Sequence, residues 1–446
     1  MKKILEGIKY WGQLLLLPIY WFSFLFPRSK NIWLFGSTFG RRFADNPRYF
    51  YLYVSQMTKK LAETADDVSD RDSCMINGKP IRSIWISHSK EIVELLQQNG
   101  YEAYYHHSLQ GIWYCLRGKV YCFDNYSKDI SFWLSGGALK LNMWHGVGNK
   151  CINFDNKHDK VRHPKNAWEK FKYFPRRLSD EKPSHYILST SPMMSEIFAR
   201  AFQVPMEHVI EAGYPRNDVL YEDMQNCNDS KTKIHNIYLP GEQVLMDEIS
   251  AWREQGLTVL GYLPTFRPSE TKLYEVCNLD ELNHFFKEHD MKLVCKLHPK
   301  SGCKQAFEKI EYSNIYVVPA EVDVNAFLGK LDVLIADYSS VYSDYMLLDR
   351  PVVTFYYDYG EYAADTRDAY FDWDEYMPEV RAYNQNDLEN AILKVLNKDD
   401  MLELRRRFRD KLFAQADGDS AGKVFCEIRE VITKKCERKK IDGLQI

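Results

Sequence analysis

A chain of 446 residues has room for two or three domains with ample core volume. With 45% hydrophobic and 27% charged residues it is globular, and a net charge of −3 excludes wholesale nucleic-acid binding. Its ten cysteines form no CxxC pair and no Cys/His cluster of zinc spacing, which points to a reducing compartment and predicts no metal site.

The N-terminus places Lys2, Lys3 and Lys9 ahead of an apolar run from Trp11 to Phe26, closed by Arg28 and Lys30. Sixteen residues interrupted by Gly12, Gln13 and Pro18 are short for a transmembrane helix, which needs about 20. No small-residue cleavage site follows, which argues against a secretory signal. Tyr20, Trp21 and Phe24 between cations suit a segment lying in a membrane interface; the alternative is a helix buried against the first domain.

From there, short apolar runs alternate with helix-period segments. The first half offers Ile32 to Phe35, Ser83 to Ile86, Val120 to Phe123, Leu139 to Asn142, Tyr186 to Leu188 and Val209-Ile210. The second offers Val259 to Tyr262, Lys292 to Cys295, Ile315 to Val318, Val333 to Ala336 and Val352 to Phe355. Such alternation predicts parallel sheets built from βαβ units, and eleven strands are too many for one ordinary open sheet. The prediction is α/β with two Rossmann-like doubly wound domains, residues 31–220 and 244–400. A membrane-associating segment (1–30) precedes them, and helices with a basic tail (401–446) follow. The hinge is expected in the polar stretch from Tyr221 to Gln243. Between Lys150 and Lys182, ten Lys or Arg stand against five Asp or Glu, interleaved with Trp168, Phe171, Tyr173 and Phe174. This stretch is either a surface facing an anionic membrane or polymer, or a solvated loop and helix.

Several strand ends carry groups suited to phosphate chemistry. His145, in Met143-Trp-His-Gly-Val-Gly-Asn-Lys150, follows a strand and stands beside glycines that permit close approach; imidazole is the usual general base near neutral pH. Earlier, Gly36 to Arg48 carries Asp45 and Asn46. Gly213-Tyr-Pro-Arg-Asn-Asp218 offers Arg216 for an anion, with Asn217-Asp218 suited to capping the next helix. In the second half, Thr265 and Arg267, then His298, then Ser339 and Ser340, all follow strands. In the segment Asp337 to Pro351, the order strand, polar turn, helix, strand sets Ser339 and Ser340 at a helix amino end. That end either holds a phosphate or is an ordinary Ser cap; Asp344, one turn on, is within reach of sugar hydroxyls. Three phosphate-compatible loops at one sheet edge favour a phosphorylated ligand. Neither a P-loop nor a three-glycine dinucleotide fingerprint occurs.

The set His145-Gly146, Gly213 to Asp218, Pro264-Thr-Phe-Arg267, His298-Pro299 and Asp337-Tyr-Ser-Ser340 through Pro351 resembles the CDP-glycerol glycerophosphotransferases of teichoic-acid and capsule synthesis, in order, from about residue 32 to 376. The resemblance implies a GT-B-type transferase whose two domains face a catalytic cleft, without a cofactor. It moves glycerol phosphate from CDP-glycerol to a hydroxyl of a lipid-linked acceptor or growing polymer and releases CMP. It would act as a peripheral protein at the cytoplasmic face of the cell membrane. His145 then matches the base and His298 a second catalytic histidine near the donor phosphates. Thr265, Arg267, Ser339, Ser340 and Asp344 fall on the donor side; Asp45, Asn46, Arg216 and Asp218 fall on the acceptor or phosphate side. Where the family has Arg-Gly this chain reads Arg367-Asp368, and its Pro-Gly-Pro turn is Met377 to Val380 here. Around those loops the transferred group stays open, with ribitol phosphate as one alternative. A nucleotide-sugar glycosyltransferase of the same fold and a non-catalytic polymer-binding protein are the others.

Overall fold

The computed structural model describes residues 6–7, 10–63, 74–180, 184–225, 237–265, 271–297, 312–359 and 368–438. Arg267, His298, Arg367 and the centre of the expected hinge, Asn226 to Ser230, lie outside these residues.

Runs rich in β-branched, aromatic and Leu residues become strands where both faces are covered, as parallel sheets require. In the first half these are β1 (Ser29–Gly36), a small antiparallel hairpin of β2 (Met75–Ile76) and β3 (Lys79–Pro80), β4 (Arg82–Ser87), β5 (Ala103–Tyr105), β6 (Gly118–Phe123), β7 (Leu139–Asn142), β8 (Tyr186–Ser189) and β9 (Val209–Glu211). In the second they are β10 (Thr258–Tyr262), β11 (Met291–Cys295), β12 (Ile315–Val317), β13 (Val333–Ala336), β14 (Val352–Phe355) and β15 (Val380–Ala382). The first sheet runs β5-β4-β1-β6-β7-β8-β9 and the second β12-β11-β10-β13-β14-β15, every pairing parallel.

Each sheet therefore grows outward from its first strand and then restarts on that strand's other side. This doubly wound order creates a switch point where ligands bind at the carboxyl edge, between β1 and β6 in one half and β10 and β13 in the other. The α/β prediction holds, and each of the eleven expected strands is present. The four strands not foreseen are the two-residue β2 and β3 of the hairpin and the three-residue edge strands β5 and β15. Ala-Tyr-Tyr and Val-Arg-Ala are too short to show a period; a neighbouring strand supplies the pairing that makes them strands.

The halves are joined through buried charge. Arg48, on the helix Asp45–Glu63, donates from Nη1 and Nη2 to both carboxylate oxygens of Glu242 at 2.8 Å, with both side chains fully buried. Arg48 Nη2 also donates to the Ile237 carbonyl, and Glu242 accepts the Asp323 N–H at 2.9 Å. After the second sheet the chain returns: the helix Ser420–Arg438 packs Phe425 against Trp33 of β1, ring centroids 5.5 Å apart. Its amino end is capped from the first half, where Asp218 accepts the N–H groups of Ser420 and Ala421 at 2.9 and 2.8 Å. Asp218 thus does cap a helix, although one about 200 residues further along the chain than the next one.

The N-terminal segment combines features of both alternatives. A short helix, Leu17–Phe22, docks Tyr20 flat on Phe132 (4.9 Å, 8°), and Arg28 donates to the carbonyls of Cys115, Gly118, Leu134 and Gly136. Its other side leaves Leu15, Trp21, Phe22, Phe24 and Leu25 exposed. No helix among the described residues is long and apolar enough to cross a membrane.

Removing one partner of a buried ion pair strands the other charge. Glu242→Ala is therefore expected to destabilise the protein by about 3–5 kcal/mol, whereas the double replacement Arg48→Met with Glu242→Leu recovers most of that loss. Urea unfolding of the three proteins checks both.

Candidate active site

The two switch points are built alike. In the first half Asp124, immediately after β6, accepts from Ser37 Oγ (2.6 Å) and the Thr38 N–H (3.0 Å), which follow β1. In the second, Asp337, immediately after β13, accepts from the Thr265 N–H and its Oγ1 at 2.9 Å, which follow β10. Each aspartate is buried and satisfied by the loop across the switch point, which fixes both loops at the sheet's edge. Sequence reasoning passed over Asp124 and gave Asp337, the first residue of the quoted motif, no role of its own. The available signal was a strand ending in Asp with Ser three residues later, Asp124 to Ser127 and Asp337 to Ser340, at the same place in each half.

His145 stands on the loop after β7. Its Nδ1 lies 3.1 Å from the Asp124 carbonyl oxygen, which can only accept, so Nδ1 carries the proton and Nε2 keeps the lone pair. Burial pushes the imidazole below its ordinary value of 6.5, against the opposing pull of Asp124, with Arg216 lowering it further. His145 is thus held neutral, with the tautomer a general base needs.

The loop itself is strained and clamped. Trp144 has φ of 50°, the left-handed region that a bulky residue avoids, and its N–H donates to Asn142 Oδ1 at 2.9 Å. Asn46 Nδ2 donates to the carbonyls of Met143 (3.1 Å) and Trp144 (2.9 Å), while its Oδ1 accepts the Arg216 N–H. The Asn46 amide is satisfied inside the protein, under the base.

Arg216 is the centre of this clamp. Its Nη1 donates to Asp45 Oδ1 (2.9 Å) and to the His145 carbonyl (2.7 Å); its Nη2 donates to Asp344 Oδ2 (2.6 Å). One buried guanidinium so joins an acid from the first half, the backbone of His145, and an acid from the second half. Burial raises Asp45 to about 7 despite the pull of Arg216, and Asp344 is likewise raised by burial. Arg216, expected to meet an anion, and Asp344, expected beside a ribose, are both buried and paired with each other. Sequence alone had no means of pairing residues 128 positions apart.

The glycines beside His145 serve the same junction. A Cβ on Gly146 would lie 3.2 Å from Ser340 Oγ, and one on Gly148 3.1 Å from Ser340 Cβ. What approaches closely is the second domain's own turn. A second clasp adjoins it: Lys150 bridges Ala369 as a strand would, Tyr370 N–H donates to the Asn149 carbonyl (2.7 Å), and Phe371 N–H donates to Asn149 Oδ1 (2.7 Å).

Between the halves lies a cleft of about 330 Å³ lined by His145, Lys150, Thr265, Ser339, Ser340 and Tyr370 among others. It brings His145 together with Thr265, Ser339 and Ser340. Ser340 precedes a helix of only five residues, Val341–Tyr345, and its side chain makes no cap hydrogen bond. The cleft is partly polar and open, with the His145 imidazole on one wall and hydroxyls on the other. Such an arrangement fits removal of a proton from a hydroxyl next to a phosphorylated ligand.

Residues 19–430 match the family described as CDP-glycerol:poly(glycerophosphate) glycerophosphotransferase. The chain is 23% identical over 404 residues to a teichoic acid glycerol-phosphate transferase of Staphylococcus aureus (strain NCTC 8325 / PS 47), covering 89% of this chain and 92% of that protein. It is 26% identical over 410 residues to a teichoic acid poly(glycerol phosphate) polymerase of Bacillus spizizenii (strain ATCC 23059 / NRRL B-14472 / W23), covering 91% and 93%. Among solved structures, the wall teichoic acid polymerase TagF superposes with a TM-score of 0.66 at 21% identity over 98% of both chains. That likeness is one of fold.

Because burial depresses His145, its titration by NMR should show a midpoint below 6.5, with the neutral form present above it. Replacing Arg216 by Met removes a cation that lowers this value, so the midpoint should move up in that variant. An unchanged midpoint would contradict the coupling between Arg216 and the base.

Proposed function

The chain belongs to the CDP-glycerol:poly(glycerophosphate) glycerophosphotransferase family, and from that premise we propose that it transfers glycerol phosphate from CDP-glycerol to a hydroxyl of a lipid-linked acceptor or growing teichoic-acid-type polymer, releasing CMP. The observation that carries this reading is the neutral His145, Nδ1 anchored on the Asp124 carbonyl, facing Thr265, Ser339 and Ser340 across the cleft.

In this reading Nε2 of His145 takes the proton of the acceptor hydroxyl as its oxygen attacks the β-phosphorus of CDP-glycerol. The new P–O bond forms as the bond from the β-phosphorus to the bridging oxygen breaks, and that oxygen leaves with CMP. Phosphoryl transfer of this kind needs positioning and charge stabilisation more than covalent chemistry. The Thr265 and Ser339/Ser340 loops, fixed by Asp337 at the switch point, are placed to hold the pyrophosphate, with Arg267 and His298 assigned to the same donor side. Asp45, Asn46 and Arg216 act through the base loop: they hold His145 in place.

A lipid-linked acceptor would be met at a membrane surface. The exposed Trp21, Phe22, Phe24 and Leu25 support this, as do the exposed Trp168 and Phe171 beside Lys170 and Lys172. The two groups adjoin, since Tyr10 donates to the Lys172 carbonyl and Trp11 packs on Phe171. Aromatic side chains among cations suit the interface of an anionic leaflet, here the cytoplasmic one.

Incubation with CDP-glycerol, CDP-ribitol or a UDP-sugar and a lipid acceptor should release CMP from CDP-glycerol. Release of a nucleoside diphosphate instead marks a glycosyltransferase. His145→Ala should reduce turnover by roughly 10²-fold or more, and near-normal turnover ends its role as base. Trp21→Glu with Phe24→Glu should weaken sedimentation with anionic vesicles without unfolding the protein, since both side chains are exposed.

A further inference from the structure

At the carboxyl edge of the first sheet, away from the base, three imidazoles stack on one another. His88 follows β4; His106 and His107 follow β5. The His88 and His106 rings lie 3.6 Å apart at 21°, and those of His106 and His107 3.6 Å apart at 38°. Gly40, with φ of 74°, makes room: a Cβ there would overlap the His88 ring. The exposed Arg41 adjoins them, and its guanidinium has no ion pair or hydrogen bond among the described residues.

Among the described residues no carboxylate acts on His88 or His106. The charges acting on His88 are those of His107 and Arg41, and those acting on His106 are its two neighbouring imidazoles; the other partners are the Ile130 carbonyl and the Ser87 backbone. His106 Nδ1 is buried without a partner, and His88 Nε2 lies 3.5 Å from the Ile130 carbonyl. Burial, together with neighbouring positive charge, lowers His88 and holds His106 at about 4, so His106 is uncharged at neutral pH. A metal centre is not the answer, because face-to-face rings do not converge their nitrogens on one point. No metal-competent group of three His, Cys, Asp or Glu occurs among the described residues.

We propose that His88, His106, His107 and Arg41 form a subsite for a phosphodiester of the acceptor polymer, upstream of the hydroxyl that reacts at His145. The proposal rests on the function given above. It follows from where the stack lies. Between β4 and β7 the sheet interposes β1 and β6, so the strand preceding His88 lies three strand spacings, about 14 Å, from the strand preceding His145, and the strand preceding His106 and His107 lies one spacing further along the same edge. A single glycerol phosphate unit does not span that gap, whereas a chain of several units with its end at His145 does. The donor occupies the other domain, so the anion reaching this edge is the acceptor's. An anion favours the imidazolium form, so binding takes up protons and strengthens as pH falls.

The test uses the full-length protein and a soluble oligo(glycerol phosphate), with inorganic phosphate as the second probe. Calorimetry should show the oligomer binding the parent protein more tightly at about pH 6 than at about pH 8. In H88N/H106N/H107N, binding should weaken roughly tenfold, and the pH dependence should disappear. Arg41→Gln, an exposed replacement that leaves the stack intact, guards against misfolding of the triple variant and should weaken binding in the same direction. In turnover, the ratio of KM for a long acceptor to KM for one carrying a single unit should rise in both variants. Equal binding by parent and variants overturns the subsite, and inorganic phosphate binding as tightly as the oligomer overturns its assignment to the polymer. Absence of turnover of any CDP-polyol by the parent protein would sink the proposed function itself; intact turnover with unchanged oligomer binding would sink the subsite alone.

Discussion

One buried cation organises this molecule. Arg216 is almost without solvent, and a guanidinium that cannot lose its proton must find its anions inside the protein. It finds Asp45 on one side of the domain junction and Asp344 on the other, and gives a further hydrogen bond to the carbonyl of His145. The relative placement of the two sheets and the placement of His145 therefore share one solution. Arg48, paired with Glu242, repeats the device on another side of the junction. A hydrophobic junction of similar area would tolerate sliding, whereas a planar fork with fixed donors accepts one register.

Within that frame, each half solves its switch point in the same way. Asp124 and Asp337 each take the donors of the loop across the switch point, through Ser37 and Thr38 or through Thr265. Beyond these aspartates the two halves diverge. In the first half the Asp124 carbonyl is left to orient His145, and Asn46 holds the strained Trp144 beneath it. In the second, the chain turns at once into the Ser339/Ser340 loop, which presents hydroxyls to the cleft. The strain at Trp144 sits beside the proposed base, where surrounding hydrogen bonds over-determine an unfavourable backbone conformation.

The long carboxyl edge of the first sheet gives the proposed acceptor a direction. The stacked imidazoles with Arg41 stand toward one end of that edge, and His145 follows β7, two strands short of the other end. A polymerising enzyme has reason to hold more of its product than the terminal unit, because the terminal unit offers little to bind beyond one hydroxyl. The exposed aromatic and basic surface around Trp21 and Phe171 lies on this same half, which would place membrane contact and acceptor on one domain and the nucleotide on the other.

The sequence by itself determined the parallel α/β architecture, because apolar runs such as Val120 to Phe123 and Val333 to Ala336 have the length and composition of strands covered on both faces. It also determined that His145, Thr265 and Ser339 stand at strand ends, since a change of period marks each of those points. Edge strands such as Ala103–Tyr105 escaped it, being defined by a partner rather than a pattern. So did the roles of Arg216, Asp344 and Asp218, which local context marks as ligands for an anion, an alcohol or the nearest helix. Only the tertiary structure decided that Arg216 and Asp344 neutralise each other and that Asp218 caps the helix beginning at Ser420. The physical reason is that a charge is assigned by its nearest opposite charge after burial, and that neighbour is 128 residues away for Arg216.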